Sequence, residues 1–312
     1  MLKSKLLWII RQMQKPFLKW VGGKTQILDA VLRRFPKTMN NYHELFLGGG
    51  SVLLALLSLQ KQGEITITGT VHAYDINISL INVYKQIQSN KDNVYQYIQS
   101  YITEYDSITG DIINRKPETI EEAKTSKESY YYWIRKKFNS MKNSTDICTA
   151  HSAALFMFIN KTCFRGMYRE GPNGYNVPYG HYKKTPTIIT HECINNIHGL
   201  IKDVIFIHSD FTESINNVKA GDAVYLDPPY APKDTTSFVG YVANGFPLEK
   251  HQELFEKIKI IAKTGCKFIM SNANVEMVTE TFADYTYDVI TARRAIHSKN
   301  PGATATEVII YN

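Results

Sequence analysis

The sequence lacks the patterns that mark secreted, zinc-binding and membrane-spanning proteins. Its four cysteines are far apart and include no C-x-x-C pair, so neither a disulfide framework nor a zinc site is predicted. The longest apolar run, around residues 51–57, is too short to span a bilayer. The apolar stretch at residues 6–10 is followed by no small-residue cleavage site. We therefore expect an intracellular, cytoplasmic protein with no membrane and no metal partner.

Several familiar catalytic and cofactor motifs are also missing. A dinucleotide-binding loop would need a third glycine where Leu53 stands, which argues against NAD and FAD. A phosphate-binding loop before Lys24 would need glycine where Leu18 stands. No G-x-S-x-G elbow is present, so serine-hydrolase chemistry has no support. The histidines have no paired ligand spacing and are interpreted as structural or surface residues.

The composition that is present fits an ordered globular chain with a basic balance. Of 312 residues, 44% are apolar and 21% are charged, which argues against disorder and suits one large or two intimate domains. Lysine and arginine number 36 against 29 acidic residues, for a net charge of +7. Because phosphate contacts supply much of nucleic-acid affinity, this balance favours a polyanionic partner.

The first third of the chain has the order strand, glycine loop, helix, strand, acid. Leu45–Leu47 reads as a strand end and residues 48–50 as a tight loop. Ser51–Leu59 is expected to form a buried helix, and Ile65–Ala73 a strand that leads to Asp75. This order is typical of a nucleotide-binding βαβ unit.

The middle of the chain is different in character. Residues 80–160 are rich in Tyr, Lys, Asn and Gln with helical spacing, interrupted by a polar loop over residues 105–127. Residues 163–183 resemble a hairpin that turns at Pro172-Asn173-Gly174. We therefore predict a helical-plus-hairpin insertion over residues 80–199.

The α/β pattern returns after residue 200, so residues 1–79 and 200–312 are predicted to form one domain. Beyond residue 200 its expected elements are five strands, of which the last two form a pair, and one amphipathic helix. They are Val204–Ile207, Ala223–Leu226, the helix Leu248–Ala262, Lys267–Met270, and a final pair over Tyr287–Thr291 and Glu307–Tyr311.

The most specific motif is Asp227-Pro228-Pro229-Tyr230, which a given position would carry by chance about once in ~10^5. The preceding strand delivers it to the carboxyl edge of a sheet, where open α/β folds bind ligands. The Asp227 carboxylate and the Pro228 carbonyl can together accept two hydrogen bonds from an exocyclic amino group. Tyr230 offers a flat face on which an extruded base could stack. The alternative interpretation is a strand end followed by a Pro-Pro turn.

The residues around the glycine loop are candidates for cofactor binding. Gly48, Gly50 and Ser51 allow close backbone approach at a helix N-terminus, and Asp75 could bind ribose hydroxyls. Upstream, a tryptophan and a lysine in the run over residues 19–25 could lie beside a cofactor's ring and carboxylate. The alternatives are a tight turn, a solvated acid and a basic surface turn.

The hairpin segment interleaves basic and aromatic residues, which suits DNA contacts. Arginine can bind guanine through two hydrogen bonds, methionine and proline can touch a thymine methyl, and lysine and tyrosine suit phosphates. A solvated hairpin is the alternative. The candidates for DNA contact in this segment are Arg165, Met167, Arg169, Pro178, Tyr182 and Lys183.

Together these motifs resemble the Dam-type family of DNA adenine-N6 methyltransferases, in which a cofactor motif, a recognition domain and a catalytic motif follow in that order. The resemblance runs from about residue 17 to residue 311. It rests on the segments Leu18–Lys24, Phe46–Ser51, Tyr74–Asn77, Asn160–Phe164, Asn176–Gly180, Asp227–Pro232 and Met270–Asn272.

The resemblance implies an α/β fold with a seven-stranded, Rossmann-like methyltransferase sheet and an inserted DNA-recognition domain. It implies that S-adenosylmethionine is held by Trp20, Lys24, Phe46, the glycine loop and Asp75, with Asp210 and Asp227 at its edge. It also implies that Lys19, Met167, Arg169, Pro178 and Tyr182 contact or border a GATC site. Arg165 departs from the family, whose close members usually carry asparagine there, near the space that a flipped base vacates.

The activity implied is transfer of a methyl group from S-adenosylmethionine to adenine N6 in duplex DNA, within GATC, after base flipping. Asp rather than Ser at position 227 favours adenine, by resemblance. Two other functions stay open: cytosine-N4 or RNA adenine methylation on the same fold, and a catalytically silent DNA-binding relative. Double-stranded DNA is the expected partner, bound by a monomer or a weak dimer, with or without a partner nuclease.

Overall fold

The computed structural model describes residues 13–142, 144–232, 246–293 and 304–312. In chain order the strands are β1 (Thr38–Met39), β2 (Tyr42–Glu44), β3 (Thr66–Ile67), β4 (Val71–Asp75), β5 (Glu170–Gly171), β6 (Gly174–Tyr175), β7 (Val204–His208), β8 (Ala223–Leu226), β9 (Lys267–Ala273), β10 (Thr286–Arg293) and β11 (Thr304–Tyr311). The helices are α1 (Leu28–Leu32), α2 (Ser51–Lys61), α3 (Ile78–Ser107), α4 (Ile120–Ala123), α5 (Lys127–Met141), α6 (Ala150–Thr162), α7 (His191–Ile201), α8 (Phe211–Ser214), α9 (Leu248–Lys263) and α10 (Glu276–Thr281).

The chain divides into two compact units, an α/β unit and a helical unit. The described part of the α/β unit comprises Met13, residues 24–76 and residues 203–312 with the gaps given above. The helical unit comprises residues 14–23 and 77–202. The short segment 14–23 joins the helical unit because the Asn160 side chain bonds both the N–H and the carbonyl of Lys19, at 2.9 and 2.7 Å. The functional boundaries predicted at residues 79 and 200 stay predictions.

The α/β unit contains the predicted seven-stranded sheet, in the order β10-β11-β9-β8-β2-β4-β7. The five strands from β9 to β7 run parallel, and β11 and β10 add an antiparallel edge. Strand β2 lies between β4 and β8. The chain continues from β2 to β4 and β7 on one side of the sheet, and then to β8 and β9 on the other side of β2. Ligands in open α/β sheets bind at the carboxyl ends of strands at such a switch point.

The sheet's buried strands and α2 form the interior of this unit. All four residues of β8 are buried, as are residues 51–59 of α2, which explains the nearly continuous apolar runs at both places. Helix α9 packs its apolar face onto the same core, which includes Leu226, Phe255 and Phe268. The predicted strand Ala223–Leu226 and the predicted helix at residue 248 are confirmed, the helix ending one residue later than expected.

Two strand predictions in the first third need correction. Ile65–Ala73 is not one strand: the chain breaks between β3 and β4 because the Asn41 side chain accepts hydrogen bonds from the N–H and hydroxyl of Thr70. A strand also does not extend through Leu45–Leu47, since β2 ends at Glu44. Leu45 N–H still bonds the Tyr225 carbonyl and Leu47 N–H the Tyr74 carbonyl, so the segment stays against both neighbouring strands.

The helical unit is built on α3, α5 and α6 around an aromatic core. The Asn77 side chain caps α3 by accepting from Leu80 N–H, and the helix is kinked at Asn90. Helix α6 packs against α3 and α5. The fully buried aromatic side chains of this unit are Tyr84, Tyr105, Tyr130, Tyr131, Phe138, Phe156 and Phe158.

Two predictions in the helical unit are only partly right. The loop predicted over residues 105–127 is shorter, because α3 runs to Ser107 and α4 forms a single turn. The hairpin predicted over residues 163–183 pairs only β5 with β6 across Pro172 and Asn173, apart from a bridge between Cys163 and Tyr179. Within the described ranges, no helix has the length and apolarity to cross a membrane, and no group of three or more His, Cys, Asp or Glu is placed to hold a metal.

Candidate active site and recognition surface

Strand β8 delivers Asp227 to the switch point of the sheet. The side chain is 18% exposed, and its Oδ2 lies 2.6 Å from Nζ of Lys24, itself only 5% exposed. Lys24 begins a single 3-10 turn, Lys24–Gln26. The other carboxylate oxygen of Asp227, Oδ1, is buried and has no hydrogen-bond partner among the residues that the structure describes. A buried acceptor of this kind is costly unless a ligand or a rearrangement satisfies it.

Tyr230 is fixed next to this ion pair by neighbouring strands. Its hydroxyl donates to Oε2 of Glu307 on β11 at 2.8 Å, and Nζ of Lys24 lies 4.9 Å from the centre of its ring. The following residue, Ala231, donates its N–H to Oδ1 of Asn272 on β9 at 3.0 Å. The candidate reactive segment, Asp227–Tyr230, therefore takes its shape from β9 and β11 as well as from β8.

The glycine loop between β2 and α2 is bonded to the end of β4. Gly48 and Gly50 have φ values of 51° and 67°, which a residue with a side chain rarely adopts. Gly48 N–H donates to Oδ2 of Asp75 at 2.9 Å. Gly50 is the residue before α2, and Ser51 is buried in its first turn. The structure thus brings together the glycine loop and the acid that the sequence singled out.

The remaining cofactor candidates of this unit follow β2 and β7, the two strands that flank β4. The Phe46 ring packs on Phe211 and Phe246, with centroids 5.7 and 6.1 Å apart. Asp210 follows β7 and caps α8 by accepting from Thr212 N–H at 2.9 Å. One carboxylate oxygen of Asp210 therefore stabilises the start of α8, whether or not Asp210 also binds the cofactor.

Trp20 and Lys19 belong to the helical unit. Trp20 stacks on Tyr168 with ring centroids 5.5 Å apart, so its predicted contact with the cofactor stays a prediction. Nζ of Lys19 donates to the Tyr182 hydroxyl at 2.8 Å and lies 4.4 Å from the centre of that ring. The structure brings together these two predicted DNA-contacting residues.

The segment over residues 163–183 exposes most of the other predicted DNA contacts. Arg165, Arg169, Pro178 and Lys183 are exposed, whereas Met167 is half-buried. Residues 175, 177 and 179 are buried, and the intervening residues 176 and 178 are exposed. Nε of Arg169 donates to Oδ1 of Asn176 at 2.7 Å, which orients the guanidinium. The segment therefore presents a basic outer face.

Comparisons with known proteins agree with this geometry. The model of the family described as D12 class N6 adenine-specific DNA methyltransferase matches residues 20–296. The chain belongs to this family. The Type II methyltransferase M.MjaIII of Methanocaldococcus jannaschii is 33% identical over 91% of this chain and 93% of its own length. The retron Ec67 DNA adenine methylase of Escherichia coli is 30% identical, over 94% and 89%.

The DNA adenine methylase of Escherichia coli strain K12 is 28% identical over 91% of this chain and 90% of its own length. Among solved structures, an rRNA methyltransferase from Streptomyces viridochromogenes aligns at 10% identity with a TM-score of 0.34, over 92% of this chain and 82% of the other. The fold follows from the strand order of the seven-stranded sheet. The prediction of an adenine-specific DNA methyltransferase is confirmed at the level of the family.

Membership of this methyltransferase family implies DNA as the substrate and S-adenosylmethionine as the methyl donor. The residues present fit such a donor. The positive φ values of Gly48 and Gly50 open the backbone before α2, where the helix N-terminus favours an anionic group. The unsatisfied Oδ1 of Asp227 lies at the end of the neighbouring strand β8.

Burial governs the charge of the methyltransferase's carboxylates. Burial raises the pKa of Asp227, Lys24 opposes that rise, and Glu307 adds to it. Burial likewise raises the pKa of Glu44 to about 8, against the hydrogen bond that the Tyr42 hydroxyl donates to Oε2 at 2.6 Å. Glu44 is therefore largely neutral near pH 7. This neutrality limits the repulsion among Glu44, Asp227 and Asp75.

Glu44, Glu307 and Asn272 also shape the site, and none of them is among the site residues predicted from sequence. Glu44 had a local signal, since an acid directly preceding an apolar segment and a glycine loop is placed at a strand end. Asn272 was noted only as part of a family segment. Glu307 had no local signal, because its bond to Tyr230 depends on the antiparallel return of β11.

Proposed function

We propose that this chain transfers a methyl group from S-adenosylmethionine to N6 of an adenine in duplex DNA, within a GATC site, after the base has been flipped out. The family supplies the chemistry of adenine methylation. The sequence context and the flipping of the base are our proposals, which rest on the resemblance of the hairpin segment and on the geometry of Asp227 and Tyr230.

The observation that carries the proposal is the position of the Lys24 ammonium. It lies 2.6 Å from Oδ2 of Asp227 and 4.9 Å from the centre of the Tyr230 ring. A nitrogen donor is therefore already held at the carboxylate and near the aromatic face. We infer that the N6 amino group of adenine replaces Lys24 at Oδ2, with the base stacked on Tyr230.

The chain's own residues then act by positioning and electrostatics. The adenine amino group is a poor nucleophile because its lone pair is delocalised into the ring. Hydrogen bonds from this group to the Asp227 carboxylate and the Pro228 carbonyl favour a more tetrahedral nitrogen and localise the lone pair. The bond from Tyr230 to Glu307 holds the stacking surface in place. S-adenosylmethionine supplies the electrophilic methyl group on its sulfonium.

We assign the cofactor to Phe46, Gly48, Gly50, Ser51 and Asp75, with Trp20, Lys24, Asp210 and Asp227 at its borders. Once displaced from Asp227, Lys24 is available to the cofactor's carboxylate. We assign DNA contacts to Lys19, Arg165, Met167, Arg169, Pro178, Tyr182 and Lys183. Together these cations and apolar groups would provide phosphate, guanine and thymine-methyl contacts.

The test is methylation of a random duplex DNA pool with a labelled methyl donor. Digestion to nucleosides identifies the product, and base-resolution readout identifies its sequence context. N6-methyladenine concentrated at GATC supports the proposal in full. N4-methylcytosine, or methylation of RNA in preference to duplex DNA, would replace the substrate assignment. DNA binding without binding of S-adenosylmethionine in calorimetry would indicate a catalytically silent relative.

A further inference from the structure

Two asparagine side chains in the helical unit each bond both main-chain polar groups of one distant residue. Asn139 on α5 accepts from Tyr175 N–H at 2.8 Å and donates to the Tyr175 carbonyl at 2.9 Å. Asn160 on α6 makes the same pair of bonds with Lys19, at 2.9 and 2.7 Å. In a sheet, a neighbouring strand would supply such a pair of bonds.

Asn139 is the last member of a polar stripe on α5, formed by Tyr131, Arg135 and Asn139. These residues are four apart and therefore lie along one face of the helix. The Tyr131 hydroxyl and Nη1 of Arg135 both donate to the Val177 carbonyl, at 2.7 and 3.0 Å. The polar stripe thus satisfies the inward main-chain groups of residues 175–177, where no further strand pairs with them in the described part of the unit.

Asn139 of the polar stripe lies close to Gly174 of the hairpin. Gly174 has a φ of 90°, and a Cβ there would lie 2.7 Å from Oδ1 of Asn139. Any larger residue at position 174 would push the Asn139 amide away from Tyr175. The glycine and the asparagine therefore fix the register of the hairpin together.

The held segment in turn fixes two predicted base-contacting residues. The Tyr175 hydroxyl donates to the Met167 carbonyl at 2.9 Å. Asn176 donates its N–H to the Arg169 carbonyl at 3.0 Å, and its side chain accepts from Nε of Arg169. A shift of Tyr175 would therefore move both Met167 and Arg169.

We propose that Asn139 is a positioning residue for DNA sequence preference, because its side-chain amide sets the register of the segment that carries Met167 and Arg169. Asn160 holds the main chain of Lys19 through the same pair of hydrogen bonds. The inference rests on the proposed function, in which these three held residues contact the target site. The polar stripe supplies the support, and the exposed side chains supply the contacts.

The test compares Asn139→Asp with wild type and with Ser140→Ala on the same helix, where the exposed Ser140 hydroxyl donates to the Lys137 carbonyl. Aspartate keeps the shape and the acceptor but loses the donor to the Tyr175 carbonyl. The readout is the ratio of methylation rates at the preferred site and at sites that differ by one base pair. Affinity for S-adenosylmethionine, measured by calorimetry, shows whether the rest of the enzyme is intact.

We expect Asn139→Asp to lower the rate ratio by about tenfold with cofactor affinity unchanged, since displacements near 1 Å can change rates by about 10²-fold. Tyr131→Phe removes one donor to Val177 and keeps the ring, so it provides a milder variant if Asn139→Asp does not fold. We expect it to lower the ratio by about threefold. An unchanged ratio in a folded variant overturns the positioning role.

Measurements on the wild-type enzyme distinguish a failure of this inference from a failure of the proposed function. Wild-type enzyme that methylates adenine with a clear sequence preference, alongside variants that keep the preference, overturns only the role of Asn139. Wild-type enzyme with no sequence preference overturns both the assigned recognition site and the inference that depends on it.

Discussion

Buried polar groups are satisfied differently in the two units of this methyltransferase. In the α/β unit, charged groups meet at the carboxyl ends of parallel strands, where Lys24 pairs with Asp227 and Glu44 is held neutral. In the helical unit, the Asn139 amide, the Tyr131 hydroxyl and the Arg135 guanidinium of one helix bond the main chain of an irregular segment. The charged side chains of that segment face solvent.

Under the proposed function, this difference separates the unit that performs the chemistry from the unit that recognises the DNA sequence. A buried carboxylate has a strong effect on a reacting amino group because little water screens it. Base and phosphate contacts instead need exposed cations whose main chain is held in one register. Changes in the α/β unit should therefore alter rate and pH dependence, whereas changes in the helical unit should alter sequence preference.

The largest expected effect is that of Asp227→Ala. We expect kcat to fall by about 10²- to 10³-fold or more, because the acceptor for the N6 amino group is lost. DNA affinity should stay within about threefold of wild type. Single-turnover kinetics and DNA titration measure the two quantities. The exposed Asp284→Ala serves as the matched control, and a catalytically competent Asp227→Ala would disprove the assigned role.

Arg169→Ala tests the proposal that the helical unit determines the sequence preference. We expect about 10- to 100-fold lower kcat/KM at the preferred site and weaker discrimination at one base pair, because a two-bond base contact is removed. Lys183→Ala is the contrasting variant. It should weaken binding evenly across sequences and reduce the salt slope by about 1. Equal discrimination in both variants would contradict a base contact by Arg169.

Glu44→Gln tests how the α/β unit holds a buried carboxyl group. The folded-state pKa of Glu44 is about 8, above the usual value of 4.5, so the fold loses stability as pH rises from about 4.5 to about 8. We expect Glu44→Gln to be more stable than wild type by about 2 kcal/mol at pH 9 and to lose this advantage near pH 4. Urea unfolding at both pH values, with the exposed Glu280→Gln as control, measures the difference.

Lys24→Gln tests whether the ion pair keeps Asp227 ionised. Burial raises the pKa of Asp227 and Lys24 lowers it, so loss of Lys24 should raise this pKa further. In the proposed mechanism the reaction uses the carboxylate, so activity is lost as pH falls through this pKa. We expect the acidic limb of the kcat/KM profile, which reports the free enzyme in which Lys24 pairs with Asp227, to move up by about one pH unit. Arg34→Gln, which breaks the distant Arg34–Asp288 pair, should leave this limb in place.

The smallest expected effect is that of Arg165→Asn. Arg165 has a φ of 56°, in the left-handed region that asparagine tolerates better than arginine. We expect the free energy of unfolding to rise by about 0.5–1 kcal/mol, measured by chemical denaturation. Lys184→Asn, at an exposed position, provides the comparison. An Arg165→Asn variant that gains nothing over this control would show that the conformation is not strained.

Local sequence patterns predicted the parts of the molecule that depend on neighbouring residues. Strand Ala223–Leu226 and its delivery of Asp227 followed from an apolar run that ends in a rare tetrapeptide. The break after β3 was missed because it depends on the distant side chain of Asn41. The hairpin was predicted too long because polar side chains of α5, rather than a partner strand, bond residues 175–177.

The sequence by itself determined the family and the fold class, since both follow from several motifs in a characteristic order, and it singled out Asp227–Tyr230 as the candidate reactive segment. Only the tertiary structure decided which side chains surround the candidate reactive segment and the predicted DNA contacts. The ion pair of Lys24 with Asp227, the neutral state of Glu44 and the hold of Asn139 on Tyr175 join residues far apart in the chain. Strand order and helix packing create these neighbours, and burial then sets the strength of their interactions.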